Sequence, residues 1–249
     1  MQHRQRRREA LGEARNELRR QRDVGDEDER LLGVVAEASR EQVPIIGVNR
    51  GSLGFLTTFS ADEIRSQFPA LLQGDFKVHR RSLLECSACR GQHDLALNDV
   101  LIKDERQSRL VRLEVFADDE LVTEYFCDGL IFSTPTGSTA YNLSAGGPLI
   151  HPDAGVIAMT PICPHTLTHR PIVVGADNVI EVVLNAANTI NTQVTCDGQV
   201  SLPLERGDQI VIRKKERKVR LIHPINHDYF KLLRAKLRWG LSPEASSFV

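Results

Sequence analysis

The sequence lacks any long run of apolar residues and any secretory signal. A membrane-spanning helix needs about 20 consecutive apolar residues, and no segment of the 249 residues approaches that length. The arginine-rich amino terminus also lacks the apolar core of a signal peptide. These two absences predict a cytoplasmic protein without a membrane partner.

Cysteines are few, and neither sign of charge is in excess. Five cysteines, an odd number, are scattered at positions 86, 89, 127, 163 and 196, which does not suggest a disulfide framework in a chain of this size. Lys and Arg number 32 against 33 Asp and Glu, so the overall charge gives no reason to expect nucleic acid. The helix predicted at residues 1–22 is arginine-rich, but it carries Glu9, Glu13 and Glu17 and no aromatic residues, which disfavours nucleic-acid binding there.

The sequence gives only weak evidence for a metal site held by side chains. Cys86 and Cys89 have zinc-like spacing and His93 follows closely, but a structural zinc site needs four ligands and there is no second pair of this kind. His165 and His169 are four residues apart, yet the flanking prolines oppose the helix that would aim both at one metal. No protein-held metal is predicted from these patterns.

The sequence has two kinds of pattern, alternating helix and strand signals before residue 77 and mainly strand signals after it, which predicts two domains. Hydrophobic residues make up 41% of the sequence, enough to fill real cores. Apolar residues at helical spacing follow an acidic cluster and predict a helix at 31–38. The β-branched run at 43–49 predicts a buried parallel strand. Helix followed by strand is half of an α/β unit, and the loop at 49–55 is a candidate wall of a ligand site because ligands collect at the carboxyl ends of such strands.

Two more helices are predicted. Ser60 and Glu63 form a capping-box pattern that begins a helix, and Gly74 ends it. Its predicted apolar face consists of Ile64, Phe68, Leu71 and Leu72. The segment 229–239 is amphipathic and is expected to return to the α/β part.

From residue 77 onward the sequence favours antiparallel β-structure. Alternating or β-rich segments separated by polar turns predict a sandwich. The expected strands are 78–86, 93–103, 110–116, 121–126, 155–160, 171–174, 179–184, 192–195 and 209–214. We therefore expect an α/β domain at 1–76 and 224–249 and a β-sandwich at 77–223.

A stretch rich in glycine and hydroxyl groups, residues 127–150, is the strongest candidate for a binding surface. An apolar run leads into seven residues, 133–139, of which five are Ser or Thr. Hydroxyls at this density offer many hydrogen-bond donors and acceptors without charge, and glycine lets backbone amides approach a ligand. The alternative is a hydroxyl-rich turn in an ordinary β-protein.

Asn98 and Asp99 place an amide and a carboxylate together after the apolar run 95–97. Such a pair can hold the two hydroxyls of a ribose. Considered alone, the same pair would by default be interpreted as an Asx turn.

Four segments, in family order, resemble the NAD kinase family. They are residues 47–56, 97–100, 128–148 and 164–171, and the resemblance runs from about Leu31 to Trp239. It implies a Rossmann-like α/β domain followed by an NAD-binding β-sandwich. It also implies phosphoryl transfer from ATP, with a divalent metal such as Mg²⁺, to the 2′-hydroxyl of the adenosine ribose of NAD, which gives NADP. Homo-oligomers, dimers or tetramers, in which neighbours complete the sites are implied as well.

The resemblance also implies roles for single residues. Asn98 and Asp99 match the family pair that grips a ribose, and Asp128 matches the acid that opens the long glycine-rich motif. Phe55 occupies the aromatic position that flanks adenine. The further contacts to NAD that the resemblance implies are Arg109, Thr139, Ala140, Tyr141, Asn142, Leu143, Ser144 and Gln199.

The sequence departs from the family at its amino-terminal mark, Gly-Gly-Asp-Gly. Residues 26–29 read Asp-Glu-Asp-Glu, so Asp28 keeps the acid that the family uses as base or metal partner, but the glycines are replaced. Glycines in such a turn allow close backbone approach to phosphate, whereas Glu27 and Glu29 repel it. The arginine-rich segment also stands in place of the first α/β strand, so the domain is expected to be truncated or diverged at its start. Two functions follow from the sequence: an active NAD kinase, or a catalytically impaired NAD-binding or regulatory homologue. A third, a related lipid or sugar kinase, is less favoured because such a kinase would not need both the Asn98–Asp99 pair and the 139–144 segment.

Overall fold

The computed structural model describes residues 27–49, 54–88, 91–105, 110–185 and 191–239. A small α/β part borders a sandwich of two six-stranded sheets. The predicted fold class, α/β plus β, is confirmed. The helix predicted at 1–22 lies outside the described residues. Within the described ranges, no helix is long and apolar enough to cross a membrane.

The elements follow one another in a simple order along the chain. The first half contains α1 (Glu27–Glu41), β1 (Ile45–Ile46), β2 (Val48–Asn49), β3 (Phe59–Ser60), α2 (Ala61–Gln73), β4 (Lys77–Arg81), β5 (Leu84–Ser87), β6 (His93–Ala96), β7 (Asp99–Asp104), β8 (Val111–Ala117) and β9 (Glu120–Cys127). The second half contains β10 (Gly129–Ser133), a 3-10 turn (Gly137–Thr139), α3 (Tyr141–Ser144), β11 (Val156–Ile162), β12 (Ile172–Gly175), β13 (Ile180–Leu184), β14 (Thr192–Cys196), β15 (Val200–Pro203), β16 (Gln209–Lys214), β17 (Val219–His223) and α4 (Tyr229–Leu237).

The α/β part is built on a three-stranded sheet of order β1-β17-β4, in which β1 runs parallel to β17 and β4 antiparallel to it. Leu31 and Val35 of α1 pack against Val219 and Leu221 of β17, whereas Leu71 of α2 belongs to a separate cluster on the same part. The single buried strand predicted at 43–49 is instead two strands of two residues each.

The second helix shows where local sequence rules succeed and where they stop. Ser60 and Glu63 form the predicted capping box, and Gly74 ends the helix in the left-handed conformation with φ 95°. The predicted apolar face is only partly buried, because Phe68 is 53% and Leu72 is 75% exposed. Helical spacing predicts which residues share a face of the helix, but it does not predict how much of that face the rest of the protein will bury.

The sandwich consists of sheets of order β12-β11-β10-β7-β14-β15 and β6-β5-β16-β13-β8-β9. Its core is apolar and includes Cys86, one of the two cysteines with zinc-like spacing. The other, Cys89, lies outside the described residues. Across the described part of the chain, no group of three His, Cys, Asp or Glu residues is arranged to hold a metal.

Two predicted strands turn out to be broken, and each break moves the chain between sheets. The strand predicted at 78–86 divides into β4, which joins the α/β sheet, and β5, which joins the sandwich. The strand predicted at 93–103 divides into β6 and β7, which belong to opposite sheets of the sandwich. Since β17 pairs with β1 and β4 pairs with β17, we place residues 77–81 and 219–223 with the α/β part rather than with the sandwich. Pairing partners are distant in sequence, so periodicity could not assign these strands.

Candidate active site

A cleft of about 420 Å³ lies where the α/β part meets the sandwich. Its walls come from α1, the segment before β3, the junction of β6 and β7, the turn after β10, the turn after β14, and α4. The lining residues are Leu32, Phe55, Leu56, Asn98, Asp99, Leu101, Thr136, Thr139, Ala140, Tyr141, Thr195, Asp197, Gly198 and Lys236. Apolar and aromatic groups thus combine with a few polar ones, which is the usual composition of a small-molecule site.

Asn98 and Asp99 lie where the chain crosses from one sheet of the sandwich to the other. β6 ends at Ala96 and β7 begins at Asp99. Asn98 is half-buried and Asp99 is buried, and both line the cleft. The amide and the carboxylate are therefore presented to the same space.

The carboxylate of Asp197 holds this crossing from the β14–β15 turn. One of its oxygens accepts the backbone N–H of Leu97 at 2.7 Å, and the other accepts those of Asn98 at 2.7 Å and Asp99 at 3.0 Å. The N–H of Asp197 donates in return to the carbonyl of Asp99 at 2.9 Å. Asp197 reaches this position through a left-handed conformation, φ 51°, which Asp tolerates better than most residues.

Thr134 holds the same crossing from the turn after β10. Its hydroxyl donates to the carbonyl of Leu97 at 2.5 Å, and its N–H donates to the carbonyl of Asn98 at 2.9 Å. The N–H of Gly137 donates to the Thr134 hydroxyl at 3.0 Å. The hydroxyl-rich stretch thus contributes to the site by fixing the backbone around Asn98.

Two carboxyl groups of the cleft ionise unusually weakly. Burial, with a contribution from the neighbouring Asp197, raises the pKa of Asp99 to about 7. Burial also raises the pKa of Asp197 to about 6, although the three N–H groups that it accepts act in the opposite direction. The charge of the cleft therefore changes near neutral pH.

Asn142, which the resemblance places among the contacts to NAD, is fully buried and bound within the chain. Its amide nitrogen donates to the carbonyl of Pro148 at 3.1 Å, and its amide oxygen accepts the hydroxyl of Thr160 at 2.7 Å. A Cβ at Gly147 would lie 2.2 Å from that oxygen. The structure therefore gives Asn142 an internal role, which is to anchor the loop that presents Thr139 to Tyr141.

The other predicted residues divide into those that line the cleft and those that do not. Phe55, Asn98, Asp99, Thr139, Ala140 and Tyr141 line it. Leu143, Ser144, Asp128 and Gln199 do not line it, although the Gln199 side-chain oxygen comes within 4.0 Å of the Cβ position at Gly33 on α1, next to Leu32. Arg109 lies outside the described residues.

Position 28, the predicted catalytic acid, falls in the first turn of α1. The Asp28 side chain lies outside the part of the chain that the structure describes. Position 28 precedes Leu32 by four residues, so the two positions share one face of the helix. Because Leu32 lines the cleft, this face of α1 borders the space that Asn98 and Asp99 also border.

Sequence reasoning missed several residues of the cleft: Leu32, Leu56, Leu101, Thr136, Thr195, Asp197, Gly198 and Lys236. Asp197 stands in the Asp-Gly turn between β14 and β15, and the sequence marks that turn only as polar. Lys236 stands on a helix that was expected to return to the α/β part, and this return could have indicated it. Threonines such as Thr195 carry no signal that separates a cleft wall from an ordinary strand.

Two family models match the chain in succession. The ATP-NAD kinase N-terminal domain matches residues 27–76, and the ATP-NAD kinase C-terminal domain matches residues 97–224. The NAD kinases of Pseudomonas savastanoi pv. phaseolicola and Ectopseudomonas mendocina are each 44% identical to it over 218 residues, which is 86% of this chain and 73% and 74% of theirs.

Solved structures resemble the chain as well. Yeast NADH kinase complexed with NADH has a TM-score of 0.79 at 28% identity, and the match covers 86% of this chain and 64% of the yeast chain. An NAD kinase from Archaeoglobus fulgidus in complex with ATP has a TM-score of 0.68 at 30% identity, with 78% and 74% covered. On these matches, the chain belongs to the NAD kinase family.

Proposed function

We infer that this protein is an NAD kinase, which transfers a phosphoryl group from ATP to the 2′-hydroxyl of the adenosine ribose of NAD and forms NADP. The observation that carries the inference is the cleft in which Asn98 and Asp99 meet the 139–141 segment and the face of α1 that contains position 28. Membership of the family supports the same reaction.

The acceptor nucleotide is proposed to lie along the sandwich wall. The Asn98 amide and the Asp99 carboxyl would hold ribose hydroxyls, since one group offers both donors and acceptors and the other accepts. Phe55 and Tyr141 supply aromatic surface to the same cleft, on which an adenine or a nicotinamide ring can stack. Thr139 adds a hydroxyl for polar edges of the ligand.

Asp28 is proposed to accept the proton of the ribose 2′-hydroxyl while the 2′-oxygen attacks the γ-phosphorus of ATP. The new O–P bond forms as the bond to the bridging oxygen breaks, and ADP leaves. A Mg²⁺ bound to the ATP phosphates would neutralise developing charge; the described residues offer no three-ligand cluster, which fits an ion held mainly by substrate phosphates and water.

The phosphate groups of both nucleotides need cationic partners in this cleft. Among the described lining residues Lys236 of α4 is the one cation, and it shares the cleft with the acidic Asp99 and Asp197. With the family glycines replaced at positions 26, 27 and 29, backbone amides alone are less able to hold phosphate. Lys236 is therefore proposed as a phosphate contact.

Lys236→Gln is expected to raise KM for NAD or for ATP about tenfold, because a hydrogen bond to a charged group contributes about 1.5–3 kcal/mol. KM for each nucleotide is measured at two salt concentrations in the wild-type and Lys236→Gln proteins. The KM of the variant should depend less on salt than that of the wild type. Lys231→Gln, on the exposed side of the same helix, is the matched control. Unchanged KM values for both nucleotides in Lys236→Gln would remove Lys236 from phosphate binding.

A coupled assay of NADP formation tests the proposed function itself. The chain is incubated with NAD, ATP and Mg²⁺ beside a Glu27→Gly, Glu29→Gly double variant that restores two family glycines. We expect NADP from both proteins, with a lower KM for ATP in the double variant because two repelling carboxylates are gone. Asp28→Asn should keep NAD affinity and lose turnover by about 100-fold or more, in the range of a lost general base.

Calorimetric titration with NAD distinguishes the impaired homologue from the active enzyme. NAD binding without NADP formation in the wild-type chain, and NADP formation once the glycines are restored, would mean that the donor site rather than the acceptor site has been lost. Absence of both binding and turnover would overturn the proposed function.

Asp128 and Arg109 remain proposed contacts to NAD. Asp128 is exposed and does not line the cleft of its own chain, so a contact with NAD would be made in the cleft of a neighbouring copy. A homo-oligomer, dimer or tetramer, is proposed on this basis. Sedimentation of the wild-type chain, together with mixing of Asp128→Ala and Asp28→Asn copies, tests it: recovered turnover in the mixture requires sites shared between copies.

A further inference from the structure

The segment from Leu97 to Asp99 has an unusual set of backbone partners. It crosses between the two sheets of the sandwich, so no regular strand pairing holds residues 97 and 98. All three of its N–H groups donate to the Asp197 carboxylate, and its carbonyls accept from Thr134 and from the Asp197 backbone. Two residues, one from each of two distant turns, therefore bind every main-chain polar group of the segment.

We propose that Asp197 is a positioning residue for the acceptor nucleotide, which fixes Asn98 and Asp99 in the geometry that grips a ribose. The proposal rests on the proposed function, and it adds a residue that neither touches the reacting atoms nor stands among the expected contacts. Asp197 acts through the backbone of the pair and through its charge beside Asp99.

Only a carboxylate suits this position. Both oxygens accept N–H groups, Leu97 on one side and Asn98 with Asp99 on the other. An asparagine has the same shape, but its NH₂ would face at least one of these donors, so one or two buried N–H groups would lose their acceptor. A glutamate keeps the charge, but its side chain is one methylene longer, so its oxygens lie about one bond further from the backbone of residue 197.

The charge of Asp197 gives the proposal a second consequence. Asp197 lies close enough to Asp99 to raise its pKa, in addition to the larger effect of burial. Asp94 adds a further negative charge near Asp197. Removing the charge at 197 therefore lets Asp99 ionise at lower pH, whereas a change that only loosens the backbone leaves the ionisation of Asp99 where it was.

The test is calorimetric titration of NAD into wild-type and Asp197→Asn proteins between pH 5.5 and 8.5. We expect Asp197→Asn to weaken NAD binding about 10- to 100-fold, the range for lost hydrogen bonds to a charged group. The pH at which affinity is half-maximal should also fall, by about one unit, the low end of charge effects on a close neighbour. In the coupled assay KM for NAD should rise more than kcat falls.

Thr134→Val is the matched control, since it removes an uncharged hydroxyl that donates to the Leu97 carbonyl of the same segment and accepts the N–H of Gly137. It should weaken NAD binding without moving the pH profile. Asp99→Asn keeps all three N–H groups of the segment and should remove the part of the pH dependence near pH 7, so that only the part due to Asp197 near pH 6 remains. This variant provides a test even where Asp197→Asn does not fold.

Different outcomes would refute the proposed function and the positioning role of Asp197. Wild-type protein that neither binds NAD nor forms NADP refutes the proposed function. Wild-type protein that binds NAD, with an Asp197→Asn variant of equal affinity or an unmoved pH profile, refutes the positioning role alone. A pH profile that persists unchanged in Asp99→Asn refutes the coupling between the two carboxyl groups.

Discussion

Gly137→Ala is expected to reduce kcat/KM for NAD by about 100-fold or more, the loss that a displacement of about 1 Å produces at a reacting site. Gly137 begins the 3-10 turn that leads to the cleft residues Thr139 and Tyr141. A Cβ at this position would lie 2.1 Å from the carbonyl oxygen of Asn98 and 2.7 Å from its Cα. All these atoms are backbone, so no side-chain rotation relieves the overlap.

The displacement caused by Gly137→Ala would act on Asn98, one of the two residues proposed to bind a ribose. Either the turn or residue 98 must move, and the hydrogen bonds of Thr134 to Asn98 and of Gly137 to Thr134 would be lengthened or broken. NAD affinity, the coupled assay and thermal unfolding are measured together. A larger loss of affinity than of stability is expected because the overlap is with the cleft wall.

Gly155→Ala is the control for this prediction. A Cβ at Gly155 meets no atom within 4 Å, and Gly155 is not among the residues with positive φ. Its kinetics should match those of the wild type. A Gly137→Ala protein with kcat/KM within about threefold of wild type, and with unchanged melting, would contradict the close approach that the structure shows.

Local features of the fold could be predicted from sequence because their causes are local. The capping box of Ser60 and Glu63 and the stop at Gly74 involve residues within one helix. The tail helix, predicted over 229–239, is found at Tyr229–Leu237, and Asp228 caps its start. Such features depend on hydrogen bonds between near neighbours, which a single sequence displays directly.

The arrangement around Asn98 could not be predicted in this way. Asp197 and Thr134 are about 100 and about 35 residues away along the chain, and their contacts arise only when β7 pairs with both β10 and β14. The sequence therefore marked Asn98 and Asp99 as a candidate ribose-binding pair but did not show what holds them. For the same reason the sequence did not show that the Asn142 amide bonds to Pro148 and Thr160.

His223→Leu is expected to make the protein more resistant to acid than the wild type. His223 is fully buried at the end of β17, near His79, His227 and the buried Arg81. Within the described part of the chain neither ring nitrogen has a hydrogen-bond partner. Burial, reinforced by electrostatic repulsion from His227, Arg81 and His79, lowers the pKa of His223 to about 2, so the folded protein keeps the ring neutral.

The sign of the effect follows from proton counting. Below about pH 6.5 the unfolded chain protonates His223 and the folded chain does not, so the free energy of unfolding falls by about 1.4 kcal/mol per pH unit as pH falls. Asp99 works in the opposite direction, because its raised pKa means that the folded state takes up a proton between pH 7 and 4 before the unfolded state does. The wild-type curve therefore combines opposing slopes, and only its difference from a variant isolates His223.

Urea unfolding of wild-type and His223→Leu proteins at pH 6.5 and 4.5 provides that difference. The stability of the variant relative to wild type should rise by about 2 kcal/mol on going to the lower pH, since leucine has no proton to gain. His165→Leu, at an exposed position, is the matched control. A His223→Leu difference that stays constant between the two pH values would mean that the folded protein also protonates His223, and that the cluster with Arg81 opens to water or an anion in acid.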